Sequence, residues 1–195
     1  MKKYMVIDCE TTGLDKSKNS IITFSGKCYD ESSTLLSSVD VYNKSWIESA
    51  VSLSALKVNG HCINSFNIDG YVTCHTKIET ARTIANWFLA ASPCDYIVGF
   101  NVKFDISFIE ELFACCNLEA DRVIPYKIID PFVLANIFID NDIIKGSNGV
   151  SAKSLYEYFG IEANSIHKSS YDVEYTWQLY KKMSLLLTNN GAAKQ

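Results

Sequence analysis

The sequence has few residues that interrupt regular structure, with only 3 prolines and 9 glycines among 195 residues. This composition is ordinary for a globular protein and argues against a long disordered arm, and no low-complexity segment or internal repeat is visible. With 48% hydrophobic residues, the chain is long enough for one substantial core. We therefore predict a single domain over residues 1–187 and a frayed C-terminal tail over residues 188–195.

Long apolar runs are also missing. The N-terminal apolar stretch ends at Asp8, which is too early for a signal peptide, and no run approaches the roughly 20 residues that a membrane span requires. We therefore expect an intracellular, cytoplasmic protein that has no membrane partner. The seven cysteines include no Cys-x-x-Cys pair, which favours reduced thiols over a disulfide framework or a zinc site.

The sequence also lacks an excess of basic residues. The net charge of −4 gives no basic surface of the kind that proteins use to bind long duplex nucleic acid. This weakens nucleic-acid binding as a default expectation without excluding it. Clustered carboxylates count as negative in the sum, and a divalent metal would neutralise them.

The spacing of apolar residues predicts an α/β fold, with a mixed sheet flanked by helices. Three strands that form an antiparallel meander come first, and strands that alternate with helices follow. The predicted strands cover residues 4–10, 20–29, 35–42, 96–101 and 127–130. The predicted helices cover residues 51–61, 76–92, 106–116, 132–138 and 152–160, with a last helix from Ser169 or Ser170 to about Leu187. Thr76 and Glu79 form a capping box for the second of these helices.

The first strand ends on two acids, in the stretch MVIDCETTG over residues 5–13. Alternation places Met5, Ile7 and Cys9 on one face, and Asp8 and Glu10 on the other. Asp105, after the fourth predicted strand, and Asp172, in the first turn of the last helix, are further acids at element ends. Ligands of open α/β sheets bind beyond the carboxyl ends of the strands, so we expect these four acids to converge there. Four carboxylates in one crevice favour a site for hard divalent cations.

At these residues the sequence resembles the DEDDh branch of the DnaQ-like 3′-to-5′ exonucleases. The first motif of that family, Asp-x-Glu-Thr-Thr-Gly, matches residues 8–13. The second, His-Asn-x-x-Phe-Asp, matches residues 100–105 except that Phe100 takes the place of the histidine. The third, a histidine followed after four residues by aspartate, matches His167 and Asp172. The sister branch has a tyrosine at the position of Lys168, so the histidine branch is favoured. The segment over residues 55–61 is similar to one that lies beside the terminal nucleotide in this family.

The resemblance implies a ribonuclease H-like fold and a two-metal active site. Asp8, Glu10, Asp105 and Asp172 would hold two divalent cations, Mg²⁺ or Mn²⁺, and His167 would take the proton of the attacking water. The residues implied to bind the substrate are Thr11, Thr12, Gly13, Leu14, Val58, Asn101 and Phe104.

The implied function is hydrolysis of terminal phosphodiesters at single-stranded 3′ ends, with release of nucleoside 5′-monophosphates. DNA is slightly favoured over RNA as the substrate, and a short-RNA-trimming exoribonuclease is the alternative within this class. A catalytically weak module that binds nucleic acid or a polymerase is the other alternative. All five catalytic positions carry competent residues, which favours the enzyme. A polymerase and a second copy of the chain both remain candidate partners.

Overall fold

The computed structural model describes residues 1–58, 70–145, 149–163 and 168–192, apart from the side chains of Val58 and of residues 189–192. Within these ranges, six strands form one sheet in the order β4-β3-β2-β1-β5-β6. The strands are β1 (Lys3–Thr11), β2 (Ile21–Asp30), β3 (Leu35–Asn43), β4 (Val72–Cys74), β5 (Tyr96–Val98) and β6 (Ile128–Ile129). The helices are α1 (Leu53–Val58), α2 (Lys77–Ala91), α3 (Lys103–Cys115), α4 (Pro131–Asp140), α5 (Ala152–Tyr158) and α6 (Ser169–Ala192).

The sheet is mixed, which confirms the predicted fold class. β1, β2 and β3 form the antiparallel meander, and β5 and β6 continue the sheet parallel to β1. The short strand β4, which the sequence did not predict, pairs parallel with β3 at the opposite edge. Because β1 and β5 are parallel, their carboxyl ends lie at the same edge, and the acids that follow them can meet there.

β1 is covered on both faces, as its alternation predicts. Met5, Ile7 and Cys9 belong to the core formed with α2 and α3. Tyr4 and Val6 pack on the other face against Val173 and Trp177 of α6. Asp8 and Glu10 continue this second face, so the strand directs both acids to the side on which α6 begins.

The helix boundaries agree with the predictions at several ends and differ at the last. The capping box of Thr76 and Glu79 is present, with each residue bonding to the backbone of the other. Helix α6 extends to Ala192, beyond the end predicted at about Leu187. An Asn-Asn-Gly run lowers helix propensity only modestly when it extends a helix that is already formed. Among the described residues, no helix is both long and apolar enough to cross a membrane.

Candidate active site

Two elements bring acidic side chains together beyond the carboxyl end of β1. Asp8 and Glu10 come from β1, and Asp172 lies in the first turn of α6. One carboxylate oxygen from each of these three residues lies within 4.8 Å of the other two. The sequence predicted this convergence from strand alternation and from the position of Asp172 at a helix start.

Asp105, the fourth predicted acid, is held against β1 by the backbone. The pairing of β1 with β5 ends at Val6, so the N–H of Cys9 is free to bond elsewhere. It donates to Oδ1 of Asp105 at 2.8 Å. Gly99 permits this close approach, because a Cβ there would lie only 2.8 Å from the Cβ of Val102 and 3.0 Å from the carbonyl oxygen of Ile7. The turn after β5 thus brings the first turn of α3 to the site.

Buried hydroxyl groups fix the start of α6, and with it Asp172. The hydroxyl of Ser169 lies 2.9 Å from that of Ser25 and donates to that of Thr23 at 3.1 Å. The carboxylate of Asp172 accepts a hydrogen bond of 2.9 Å from the backbone N–H of Lys168. The first turn of α6 is therefore tied to β2, the neighbour of the strand that carries the other acids.

Three of the four carboxyl groups have raised pKa values. Burial, followed by the charges of Asp172 and Asp105, raises the pKa of Glu10 to about 8. Burial also raises the pKa of Asp105 to about 7, although the hydrogen bond from Cys9 opposes this shift. The pKa of Asp8 lies well above its ordinary value, because of burial and the charges of its three acidic neighbours. Each of these groups therefore costs free energy when it ionises.

The donor set fits hard divalent cations such as Mg²⁺ or Mn²⁺. Its ligand atoms are carboxylate oxygens, which such ions prefer over nitrogen or sulfur. Burial raises the pKa values of these groups most, and their mutual repulsion adds to it; a cation between the carboxylates would offset both effects. Asp8, Glu10 and Asp172 would hold the cation, with Asp105 beside them.

We expect divalent metal to stabilise the protein more at higher pH. In the metal-free protein, the folded state keeps protons on Glu10 and Asp105 that the unfolded chain has already lost, so stability falls as pH rises from about 4.5 to about 8. Metal binds the ionised carboxylates and cancels this loss. The rise in melting temperature on adding Mn²⁺ should be larger at about pH 8 than at about pH 6. Differential scanning fluorimetry measures it, with the exposed Asp121→Asn as the control that keeps the effect.

The acids lie in the wall of a cavity of about 830 Å³. Segments that are distant in the sequence contribute to it, from the end of β1 to the first two turns of α6. The rest of its wall combines aromatic and apolar side chains with a few hydroxyl groups. Its lining residues other than the four acids are Cys9, Thr11, Leu14, Ser52, Ser54, Ala55, Phe100, Asn101, Phe104, Phe132, Val150, Ser151, Ala152, Tyr156 and Thr176.

The cavity brings together four of the residues predicted to bind the substrate, namely Thr11, Leu14, Asn101 and Phe104. Leu14 is 85% exposed, as expected of a side chain available to a ligand. Asn101 has a positive φ of 56°, and asparagine tolerates this left-handed conformation better than most residues.

Thr12 and Gly13 do not line this cavity. The fully buried hydroxyl of Thr12 donates to the carbonyl of Ala50 at 2.8 Å and accepts from the N–H of Ser20 at 2.9 Å. Gly13 lies against the side chain of Asn19, which a Cβ would meet. Both residues thus tie the end of β1 to neighbouring segments of the chain.

We therefore expect Thr12→Val to reduce stability rather than substrate affinity. The variant leaves the Ser20 N–H without the acceptor that Thr12 provides, whereas the Ala50 carbonyl keeps its bond from the Asn19 side chain, and we expect a loss of about 1–3 kcal/mol in unfolding free energy. Urea denaturation measures this loss, and the KM for an oligonucleotide should not change. A raised KM with unchanged stability would restore Thr12 as a substrate contact.

Two predicted residues fall outside what the structure describes. His167 lies among the residues that are not described, and so does the side chain of Val58. Of the segment over residues 55–61, Ala55 lines the cavity, and residues 59–61 are outside the description.

The sequence did not identify several residues of the cavity wall. In the sequence, Phe100 is only a departure from a motif, and no pattern gives a role to three residues in predicted helices, Phe132, Tyr156 and Thr176. Thr176 follows Asp172 by four residues and so shares its helical face, a signal that could have revealed it. Burial and the charges of Asp172 and Asp8 raise the pKa of Tyr156, so its phenol remains a hydrogen-bond donor.

Comparison with protein families assigns this chain to a class of protein. Residues 5–180 match the RNase T family, which is described as an exonuclease. Because the match covers most of the chain, the protein belongs to this exonuclease family. A search of curated protein sequences found no match.

Solved structures of exonuclease I have the same fold. One is a structure of exonuclease I that suggests how processivity is achieved. It superposes on this chain with a TM-score of 0.77 at 17% identity, and the match covers 95% of this chain and 41% of that chain. The Escherichia coli enzyme in complex with a dA16 oligonucleotide gives a TM-score of 0.76 at 18% identity, over 95% of this chain and 41% of that chain. A moderately thermophilic exonuclease I from Methylocaldum szegediense gives 0.75 at 16% identity, over 93% and 40%. The chain thus spans about two fifths of the length of these proteins.

Proposed function

We propose that the protein is a metal-dependent 3′-to-5′ exonuclease of the DEDDh type, which hydrolyses the terminal phosphodiester of single-stranded nucleic acid and releases nucleoside 5′-monophosphates. The observation that carries this proposal is the set of carboxylates from Asp8, Glu10 and Asp172, with Asp105 beside them, in the wall of a cavity large enough for a nucleotide. Family membership and the oligonucleotide complex of a similar structure support the same substrate class.

The chain's own residues account for most of the requirements of this reaction. The four acids would hold two divalent cations, which supply an activated water and stabilise the leaving 3′ oxygen. His167 would accept the proton of that water. Leu14 and Phe104 offer apolar surface to the terminal sugar and base, and such contacts suit a site that accepts any sequence. DNA is the first candidate substrate, and short RNA is the second.

The test is a time course on single-stranded DNA and RNA that carry a 5′ label and either a free or a blocked 3′ end. With Mn²⁺, we expect a ladder that shortens from the free 3′ end, nucleoside 5′-monophosphates as the product, and protection of the blocked strands. EDTA and the Asp8→Asn variant should both abolish the ladder. Internal fragments, or release of the label as a mononucleotide, would overturn the proposed direction. Binding of the strands without any cleavage would leave only the non-catalytic binding module.

A further inference from the structure

Two phenylalanines of the cavity wall form a pair that the proposed chemistry does not use. The rings of Phe100 and Phe132 lie 5.7 Å apart between centroids, with their planes at 68°. Both line the cavity and both are half-buried. Phe100 also packs against the cluster formed by α4, α5 and α6, which anchors it to the fold. Each ring therefore keeps part of its surface open to whatever enters the cavity.

One carboxylate holds the backbone beneath both rings. Oδ1 of Asp130 accepts hydrogen bonds from the N–H of Asn101 at 2.9 Å and from the N–H of Phe132 at 3.0 Å. Asn101 follows Phe100 directly, and its positive φ of 56° sets the direction of the chain there. Asp130 is also the N-cap of α4, with Pro131 at the first helical position. The end of β5 and the start of α4 are thus joined at a single oxygen atom.

This arrangement suits a flat, uncharged and partly apolar ligand group. A phosphate is a poor partner for aromatic surface beside four acids, and a sugar has no planar face to stack. A nucleic-acid base has such a face, whatever its identity. Phe104 belongs to another pair, because its ring lies 4.9 Å from that of Phe108. The cavity therefore contains two separate aromatic surfaces.

We propose that Phe100 and Phe132 form a stacking site for a base of the bound strand, and that Asp130 is the positioning residue that holds this site in place. The inference rests on the proposed function in one respect, since it takes the 3′ end of a strand to enter this cavity. It adds a second base contact to the one expected from Leu14 and Phe104.

The experiment compares two fluorescent single strands in equilibrium binding measured by anisotropy. One strand is an oligothymidylate, and the other is identical except that its last three nucleotides lack bases. Ca²⁺ replaces Mn²⁺, so that the carboxylates are neutralised while turnover is slow. We expect Phe100→Leu and Phe132→Leu each to weaken binding of the complete strand by about tenfold, as for the loss of one base–aromatic stack. Affinity for the strand without terminal bases should not change.

Asp130 is tested by two variants. Asp130→Asn keeps a side-chain oxygen that can accept both N–H groups, so the preference for the complete strand should persist. Asp130→Ala removes the acceptor, and the preference should fall as it does in the phenylalanine variants. Tyr158→Leu replaces a partly exposed aromatic residue that does not line the cavity, and it should behave as the wild type.

The outcomes separate this inference from the exonuclease proposal. Equal weakening for both strands, or no weakening for either, would overturn the stacking site even if the wild type hydrolyses DNA in Mn²⁺. A preference for the complete strand that is lost in the variants would support the stacking site even if no hydrolysis is found. An Asp130→Asn variant that loses the preference as Asp130→Ala does would overturn the positioning role of Asp130.

Discussion

Replacing Glu10 with glutamine should abolish hydrolysis and, at the same time, stabilise the metal-free protein. Glu10 is buried, and its pKa of about 8 reflects burial and the charges of Asp172 and Asp105. Glutamine has nearly the same shape and no charge, so it removes both the repulsion and a metal ligand. Metal ions in such sites stabilise the charge of the transition state by several kcal/mol. We therefore expect kcat/KM to fall by at least about 10³-fold.

The same variant should gain stability in the absence of metal, although it loses activity. In EDTA at about pH 8, the Glu10→Gln variant should melt at a higher temperature than the wild type. At this pH the folded wild type must either ionise the buried carboxyl group or bind a proton that the unfolded chain has lost, and both cost free energy. Mn²⁺ should raise the melting temperature of the wild type more than that of the variant. Glu110→Gln, an exposed substitution on α3, should change neither quantity. A Glu10→Gln variant with activity within tenfold of the wild type would remove Glu10 from the catalytic machinery.

The second large effect is expected for His167→Ala. A general base contributes about 10²–10⁴-fold to the rate, and kcat should fall by this amount. Below its ordinary pKa of about 6.5 the imidazole is protonated and cannot accept a proton, so the wild-type rate should rise with pH through this region. At Mn²⁺ concentrations that saturate the site at every pH, the alanine variant should lack that rise.

Metal binding distinguishes this role from that of the acids. Since His167 is not expected to be a ligand, Mn²⁺ should stabilise His167→Ala as much as the wild type. The control is His75→Ala, an exposed histidine in the loop before α2 that does not line the active-site cavity. A variant with normal kcat and an unchanged pH profile would show that another group takes the proton.

The predictable part of the site is the part that local patterns encode. Alternation along β1 separates Met5 and Ile7 from Asp8 and Glu10, and the structure has this division. Asp172 could be placed because it lies at the start of a strongly periodic helix. Asp105 joins them because the parallel strands β1 and β5 end at one edge of the sheet, and this is a rule of topology rather than a property of any one residue.

The remainder depends on contacts between distant segments. Thr12 lies within a motif, yet its hydroxyl is committed to Ala50 and Ser20, and no local signal reveals that pairing. Phe132 has the spacing of an ordinary helical core residue, and only the folded chain shows that it meets Phe100. β4 was missed because a strand of three residues at a sheet edge carries too short a pattern to recognise.

The position of Asp172 on α6 has a consequence for protein synthesis. A site that combines Asp8 with Asp172 takes its ligands from the first strand and from a helix more than 160 residues later. On the ribosome, β1 to β3 can pair early, whereas Asp172 reaches the site only when α6 has emerged and packed on Tyr4 and Val6. The growing chain should therefore lack a complete set of acidic ligands until this last helix docks.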